Sequence, residues 1–306
     1  MFEKNVAPII SVGIPIYNGE KFLKEGGIDD VLLQSIKDIE IIIGDNASSD
    51  NTSKICKEYA EKDNRIKYFR HEVNIGGLKN FQFLLKKAKG KFFMWKAIDD
   101  LIDPKFIEKC LPILQDKNVA CSVAQVEYFG PKTDFLKSNK NKSKIMKFKK
   151  KVIKRFSPLS NISAQGNFEE NIRKFLKIRG HHHVFYGIYR THEIKKQFVV
   201  DIMQSYDFAT ILNVLKIGKF CVTNEVLMKR YDEGESAVGF FKFKKSQGLS
   251  YFGAIFLYLP FTKWFIKNFG KKVFLKNFDL LIIWNLEGFF YFGVGILRKI
   301  SKIFSS

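Results

Sequence analysis

Short apolar runs alternate with amphipathic stretches along the first 126 residues of the chain. The apolar runs are rich in β-branched and aromatic residues, which favour buried strands. We predict strands over residues 9–14, 39–44, 66–70, 91–97 and 119–126. Apolar positions with helical spacing predict helices over residues 20–35, 52–62, 78–89 and 104–116. Strands and helices that alternate through short connections indicate a mostly parallel sheet with helices on both faces.

Three polar clusters come directly after predicted strands: Pro15–Gly19, Asp45–Thr52 and the Asp99-Asp100 pair. The carboxyl ends of parallel strands meet at one edge of a sheet, and ligands bind there in folds of this kind. We therefore expect the three clusters to form one shared site. The sequence contains neither GxGxxG nor GxxxxGKS/T, so dinucleotide-binding glycine loops and P-loops are not indicated.

The surplus positive charge is concentrated in two stretches. Lys and Arg number 52 against 31 Asp and Glu, which gives a net charge of +21. Residues 132–155 hold eleven basic residues and one acidic residue, and residues 237–306 hold eleven basic and two acidic residues. The rest of the chain is close to neutral. Such basic surfaces suit an anionic membrane, a phosphorylated substrate or nucleic acid.

The four cysteines lie far apart and form no CxxC pair. This spacing excludes a recognisable zinc-finger pattern and a small disulfide scaffold, and it fits a reducing compartment. The first residues show no charged segment followed by an apolar run, so no signal peptide is predicted. Both observations favour a cytoplasmic location.

Four motifs occur in order within the nearly neutral part of the chain. They are SVGIPIYNGEKFL from residue 11, IEIIIGDNASSDNT from residue 39, NIGGLKN from residue 74 and IDD at 98–100. Together they resemble glycosyltransferase family 2 over residues 8–235. The resemblance implies a GT-A fold, which is a Rossmann-like α/β domain, and hexosyltransferase-type activity. The implied reaction is inverting transfer of a sugar from a nucleotide diphosphate sugar with a divalent metal.

The first three motifs carry the donor contacts that the resemblance implies. Pro15 and Tyr17 would line the pocket for the nucleotide base. Asp45 would accept a hydrogen bond from the imide nitrogen of a uracil or thymine ring, which favours a UDP-sugar. The alternative for Asp45 is a local role, because Asp often stabilises Ser- and Asn-rich loops. The remaining implied donor contacts are Asn18, Asn74, Lys79 and Asp99.

An acidic pair stands where the family has its metal-binding motif. Asp99 and Asp100 would hold Mn²⁺ or Mg²⁺, a hard cation that takes oxygen ligands. Ala97 occupies the first position of the commonest form, Asp-x-Asp-Asp, so the metal depends on the last two residues. Asp232 lies nearest the place of a third ligand in relatives. The alternative for the acidic pair is a solvated turn.

The acceptor half also has a family counterpart. The segment GIYR at 187–190 resembles the sequence before the acceptor site, and Asp207 then stands where the family carries its catalytic base. A carboxylate there would deprotonate the acceptor hydroxyl during its attack on the anomeric carbon. The alternative is that Asp207 stabilises the start of a helix, as acidic residues do.

The domain interpretation follows from the motifs and the charge. Residues 1–236 form the GT-A domain, with a nucleotide-sugar-binding half (1–127), a basic insertion (128–160) and an acceptor half (161–236). Residues 237–306 form a basic, aromatic-rich helical extension. Its apolar runs, 249–261 and 278–297, are separated by lysines, which favours amphipathic helices on an anionic membrane surface. An accessory domain packed on the catalytic one, or the interface of a homo-oligomer, are the alternatives.

We therefore expect a metal-dependent glycosyltransferase on the cytoplasmic face of the cell membrane. The acceptor would be a hydroxyl of a glycan or a lipid-linked molecule, as in polysaccharide or lipopolysaccharide biosynthesis. The QxxRW motif of processive relatives is absent, which favours single additions. Nucleic acid is not expected, because the lysines neighbour long apolar runs. The alternative function is a non-catalytic membrane-associated scaffold with a degenerate nucleotide-binding fold, supported by Ala97.

Overall fold

The structure is a computed structural model that describes residues 7–131, 133–134, 167–177, 182–201, 203, 205–232 and 256–304. Within these residues, eight strands belong to a single sheet: β1 Ile10–Ile16, β2 Ile39–Asp45, β3 Ile66–Arg70, β4 Phe92–Trp95, β5 Leu101–Ile102, β6 Val119–Phe129, β7 Ile188–Arg190 and β8 Lys219–Tyr231. The described helices are α1 Glu20–Lys24, α2 Asp29–Leu32, α3 Thr52–Lys62, α4 Gly77–Lys87, α5 Phe106–Cys110, α6 Phe168–Lys177, α7 Thr191–Gln197, α8 Tyr206–Val214, α9 Leu259–Leu275 and α10 Phe278–Phe304.

The order of the strands places the predicted loops at one edge of the sheet. The order is β3-β2-β1-β4-β7-β6-β8-β5. Strands β1 to β4 run parallel, β6 and β8 also pair in parallel, and β7 and β5 pair antiparallel to their neighbours. In register, Ile16 lies beside Asp45, and Asp45 lies beside Arg70. The mostly parallel α/β sheet is confirmed, and the loops after β1, β2 and β3 meet at its carboxyl edge.

Two of the predicted helices are shorter than expected. The helix over 20–35 is wrong: Gly26, at φ 82°, separates α1 from α2 with a backbone conformation that favours glycine. The helix over 104–116 is α-helical only in α5 and continues as a 3₁₀ turn, Leu111–Gln115. Pro112 lacks the N–H that would extend the α-helical hydrogen bonds, so the α-helix ends before it. The helix over 52–62 is confirmed, and Asp50 accepts a hydrogen bond from its Thr52 N–H at 3.0 Å.

The hydrophobic core lies on both faces of the sheet. Alternate residues of β4 point to opposite faces, so Phe93 and Trp95 pack in one cluster while Phe92 and Met94 pack in the other. The ring of Trp95 stacks on Phe185 with a centroid distance of 4.4 Å. All four cysteines are free, and three of them are buried.

The C-terminal helices share the core of the α/β part. Trp284 of α10 packs against Phe208 of α8 with ring centroids 4.9 Å apart. The indole N–H of Trp284 donates to the carbonyl of Leu176 at 3.2 Å, and Arg173 donates to both carboxylate oxygens of Asp279 at 2.9 and 2.8 Å. Helix α10 is therefore packed on the α/β part through one of its sides. Most of the basic insertion (135–160) and residues 237–255 lie outside the described residues.

A buried ion pair fixes the segment that precedes the acidic motif. The Lys96 ammonium lies 3.2 Å from the carboxylate of Asp30 and also donates to the carbonyl of Gly27. Lys96 is almost fully buried, so its charge is separated from water and depends on these partners. Because Lys96 directly follows β4, the pair ties the start of the Ala97–Asp100 loop to α2.

We predict that Lys96→Met lowers the free energy of unfolding by about 3–5 kcal/mol, because it leaves the Asp30 carboxylate buried without its partner. Urea unfolding followed by circular dichroism measures the change. Lys24→Met is the matched control, since the Lys24–Glu20 pair is exposed and such pairs contribute little. Equal stability of the Lys96 variant and the wild type would contradict the assigned role of this pair.

Candidate active site

The loops after β1 and β2 are joined by hydrogen bonds. The N–H of Asn18 donates to the Ser48 hydroxyl at 2.9 Å, and the Asn18 side-chain oxygen accepts from the Ser49 N–H at 2.8 Å. The N–H of Gly19 donates to the Thr52 hydroxyl at 2.9 Å. Asn18 has φ 50°, a left-handed conformation that Asn tolerates better than most residues. The two loops therefore form one surface at the end of the sheet.

The buried Asp45 carboxylate stabilises the loop after β2 through hydrogen bonds. One carboxylate oxygen accepts the Ser48 N–H at 2.9 Å, and the other accepts the Tyr68 hydroxyl at 2.7 Å. The Arg70 guanidinium lies 3.5 Å from that second oxygen. Asp45 is 0% exposed, so in this conformation its carboxylate has no surface open to a base. The geometry favours the loop-stabilising alternative that the sequence left open.

Asn46 joins the same surface to the loop after β3. Its side-chain N–H donates to the Asn74 side-chain oxygen at 2.9 Å, and its own oxygen accepts the Ile75 N–H at 2.8 Å. The sequence motifs indicated Asn74 but not Asn46. The residue was visible only as one of several polar letters in DNASSDNT, with nothing to distinguish it from its neighbours.

The other predicted donor residues surround these loops. Pro15 is half-buried in β1 beside Gly44 of β2, and Tyr17 follows at the surface. Lys79 is exposed on the first turn of α4, directly after the loop that carries Asn74. The structure thus brings all of these residues to the carboxyl edge of β1, β2 and β3.

The acidic pair after β4 divides into two environments. Asp100 is 2% exposed, and its carboxylate accepts the Arg230 Nε–H at 3.2 Å and the Tyr231 N–H at 3.1 Å. Burial raises the pKa of Asp100 to about 6, while the Arg230 charge opposes that rise. Asp99 is half-buried; burial also raises its pKa, and the charges of Arg230 and Lys96 oppose the rise. No pattern in the sequence indicated Arg230, which lies 130 positions from its partner.

The donor set fits a divalent cation only in part. Both Asp100 oxygens already have protein partners, which leaves Asp99 as the carboxylate of the pair that is open to a cation. Asp232 accepts the Thr133 N–H at the end of β8. Across the part of the chain that the structure describes, no group of three or more His, Cys, Asp and Glu is placed to hold a metal. Mg²⁺ and Mn²⁺ sites commonly use one or two carboxylates plus substrate phosphates and water, so Asp99 alone is compatible with a cation shared with a diphosphate.

Tyr186 connects the acidic pair to Asp207. The Arg230 guanidinium lies over the Tyr186 ring, 4.9 Å from its centroid. Burial raises the pKa of Tyr186, and the negative charges of Asp99, Asp100 and Asp207 add to the rise. All three carboxylates therefore lie within electrostatic range of one phenol. The sequence placed Tyr186 next to the GIYR segment but gave it no role.

Asp207 lies in the first turn of α8. It is half-buried, and one carboxylate oxygen accepts the N–H of Phe208 at 2.8 Å. Ser205, the residue before the helix, has φ 64°, and this left-handed turn begins α8. The Tyr206 hydroxyl at the start of α8 lies close to Gly77 at the start of α4: it is 3.8 Å from the position that a Cβ on Gly77 would occupy. The two helix starts are therefore neighbours. The candidate base thus belongs to the same edge as the donor loops.

The mostly parallel α/β sheet with helices on both faces is the architecture called GT-A. The family model described as glycosyl transferase family 2 matches residues 11–190, more than half of the chain. The chain therefore belongs to glycosyl transferase family 2, and the sequence-based assignment of the family and of the GT-A fold is confirmed.

Two curated relatives are similar over part of their length. An uncharacterized glycosyltransferase of Rickettsia typhi is 34% identical over 149 residues, which are 47% of this chain and 45% of that protein. Glycosyltransferase GlyG of Streptococcus pneumoniae is 33% identical over 114 residues, 37% of each chain. The chain thus spans less than half the length of these relatives.

Two solved structures share the fold. One is S. aureus TarS 1-349 in complex with UDP-GlcNAc, with 20% identity, a TM-score of 0.54, and coverage of 78% of this chain and 64% of that one. The other is mannosyltransferase PcManGT from Pyrobaculum calidifontis in complex with GDP-Man and Mn²⁺, with 14% identity, a TM-score of 0.56, and coverage of 97% and 76%. At these identities the likeness concerns the fold.

We predict that Asp100→Asn and Asp99→Asn affect stability differently. Asp100→Asn leaves the largely buried Arg230 guanidinium without its anion and should lower the free energy of unfolding by about 1–3 kcal/mol, because the loss of the ion pair is partly offset by removal of a charge that burial disfavours. Asp99→Asn removes a carboxylate that burial disfavours, so stability should change little. Urea unfolding of both variants measures the difference. A larger loss for Asp99→Asn than for Asp100→Asn would contradict this division of roles.

Proposed function

We propose that the protein is an inverting, metal-dependent glycosyltransferase that moves one sugar from a nucleotide diphosphate sugar to an acceptor hydroxyl. The observation that carries the proposal is that Asp99, Asp100 and Asp207 all act electrostatically on the buried Tyr186, in a family 2 chain. This supports a cation ligand and a base in one region of the molecule.

The donor we propose is a UDP-sugar. Its base would lie against Pro15, Tyr17 and the loop that Asp45 holds, with Asn18, Asn74 and Lys79 around the ribose and diphosphate. TarS, a fold neighbour, has been crystallised with UDP-GlcNAc, whereas PcManGT was crystallised with GDP-Man. The two neighbours differ in base, so the uracil assignment depends on the resemblance alone. Asp45 contributes to the base pocket through its loop, because its carboxylate is bonded to Ser48 and Tyr68.

The metal we propose is Mn²⁺ or Mg²⁺, held by Asp99. When bound with the donor, such a cation offsets the negative charge that develops on the departing nucleoside diphosphate. Asp100 fixes the motif through Arg230 and Tyr231 instead of acting as a free ligand. Asp232 as a third ligand remains a proposal that depends on the resemblance.

Asp207 is the proposed general base. Its carboxylate takes the proton of the acceptor hydroxyl while the hydroxyl oxygen bonds to the anomeric carbon. The bond between that carbon and the phosphate oxygen breaks on the opposite face, and its electron pair leaves with the nucleoside diphosphate. The configuration at the anomeric carbon is therefore inverted.

The proposed acceptor is a glycan or a lipid-linked molecule, as in the assembly of a polysaccharide or lipopolysaccharide. A lipid-linked acceptor would place the reaction at the inner face of the cell membrane, where we propose peripheral association. A homo-oligomer is compatible with this arrangement. A non-catalytic scaffold is the second candidate function, favoured by Ala97 and by the incomplete ligand set around Asp99.

We predict that Asp207→Asn lowers kcat for UDP release from a UDP-sugar by about 10²–10⁴-fold, the contribution typical of a general base. A coupled assay for UDP measures turnover. Asp201→Asn is the matched control, because Asp201 is an exposed carboxylate six residues earlier in the same segment. UDP affinity should be unchanged in both variants.

Two results would contradict the assignment. Full turnover by Asp207→Asn would exclude Asp207 as the base. No turnover by the wild type with any nucleotide sugar, together with normal nucleotide binding, would favour the scaffold.

A further inference from the structure

Helix α10 has a continuous apolar face that the described residues leave uncovered. Six large apolar side chains in α10 and at the end of α9 are 49–69% exposed: Leu275, Phe278, Ile282, Leu286, Phe289 and Phe290. We call these six residues the α10 apolar face. Counted from Phe278, its members in α10 follow at i+4, i+8, i+11 and i+12, which places them on one side of the helix. A contiguous exposed patch of large apolar side chains marks an interaction surface.

The opposite side of α10 is held firmly on the domain. Leu280, Leu281 and Trp284 are buried in the core cluster. At the start of the helix, the partly exposed Arg173–Asp279 ion pair, which borders the apolar face, and the pair between Lys276 and Glu169 fix α10 on α6. The α10 apolar face therefore belongs to a helix whose opposite side is already packed in the core of the domain.

The neighbouring charge identifies the kind of partner. Lys271 and Lys272 are exposed and lie one turn before Leu275 on α9, so they border the apolar face. Helix α9 contains no acidic residue, and the acids nearby already have partners: Asp279 pairs with Arg173, and Glu169, which is within electrostatic range of Lys272, pairs with Lys276. A second copy would bring a second set of these lysines close to the first, and like charges repel. Anionic lipid headgroups would instead neutralise them, each nearby basic residue contributing roughly 1 kcal/mol.

The shape of the surface indicates a helix that lies along a bilayer. Among the residues that the structure describes, no helix has the length and hydropathy needed to cross a membrane. Helix α10 presents apolar residues on one side and packs on protein with the other. A helix with this division buries its apolar side in the headgroup region while its axis stays in the membrane plane.

We propose that the α10 apolar face inserts into the headgroup region of an anionic lipid bilayer, with Lys271 and Lys272 against the headgroups. The same helix reaches the catalytic part, because Trp284 packs on Phe208, the residue after Asp207. Docking would therefore hold the acceptor site near the bilayer. In this respect the inference rests on the proposed function and identifies its acceptor as a lipid-linked molecule.

The experiment is co-sedimentation of the full chain with vesicles. One set contains phosphatidylcholine alone, and the other contains phosphatidylcholine with phosphatidylglycerol. We expect the wild type to bind the anionic vesicles and to be released by high salt. Leu286→Ser/Phe290→Ser should weaken this binding by about 10- to 100-fold, since it removes two large apolar side chains from the contact.

A matched control uses apolar residues of equal exposure elsewhere. Leu33 and Val73 are 63% and 67% exposed, as Leu286 and Phe290 are at 63% and 69%. Leu33→Ser/Val73→Ser should bind vesicles like the wild type. A second test variant, Lys271→Gln/Lys272→Gln, should lose the preference for anionic vesicles, and it keeps the proposal testable if the serine variant folds poorly. Thermal unfolding of every variant reports on folding.

Three results would overturn the proposal. The first is unchanged vesicle binding by both test variants, and the second is no binding by the wild type. The third is a wild-type dimer that Leu286→Ser/Phe290→Ser converts to monomers without any vesicle binding, which would assign the face to a second copy. Vesicle binding requires no turnover, so Asp207→Asn should bind like the wild type. Failure of the membrane proposal and failure of the catalytic proposal are thus separate observations.

Discussion

The buried ion pair between Arg230 and Asp100 is the interaction on which the candidate site depends. It joins the end of β8 to the loop after β4, although the two residues are 130 positions apart in the sequence. Arg230 also lies over Tyr186, which is within range of Asp207. The Arg230 guanidinium therefore contacts both Asp100 of the acidic motif and Tyr186, which is near the proposed base. Removal of either charge would leave the other buried without compensation.

This interaction also determines the different roles of the Asp99 and Asp100 carboxylates. Asp100 is occupied as a structural anion, which leaves Asp99 as the ligand of the cation that we propose. A cation with one protein carboxylate needs further oxygen ligands, and a diphosphate has them. Cation and donor are therefore expected to bind together. Trp284 packs on Phe208, the residue after the proposed base, so the helix that carries the α10 apolar face contacts the helix that carries Asp207.

The alternation of apolar runs and polar clusters predicted those strands and loops that depend on the residues nearby in the sequence. The apolar runs located the first four strands and β6, and the polar clusters after β1 and β2 were correctly placed at one edge. The helix over 20–35 failed at Gly26, because the apolar spacing continued across a residue with positive φ. The role of Asp45 was left open between a base and its loop, and only its burial by Tyr68 favours the loop. Arg230 could not be predicted, since no local pattern reports a partner so distant in sequence.

The most direct test of this account is a calorimetric titration of the wild type with UDP, with and without Mn²⁺. If Asp99 and the diphosphate share the cation, UDP should bind measurably tighter with Mn²⁺, and Asp99→Asn should abolish the difference while stability is retained. UDP binding that is equally tight with and without the metal would contradict a shared cation. No UDP binding under either condition would contradict the donor assignment and direct the titration to other nucleotides.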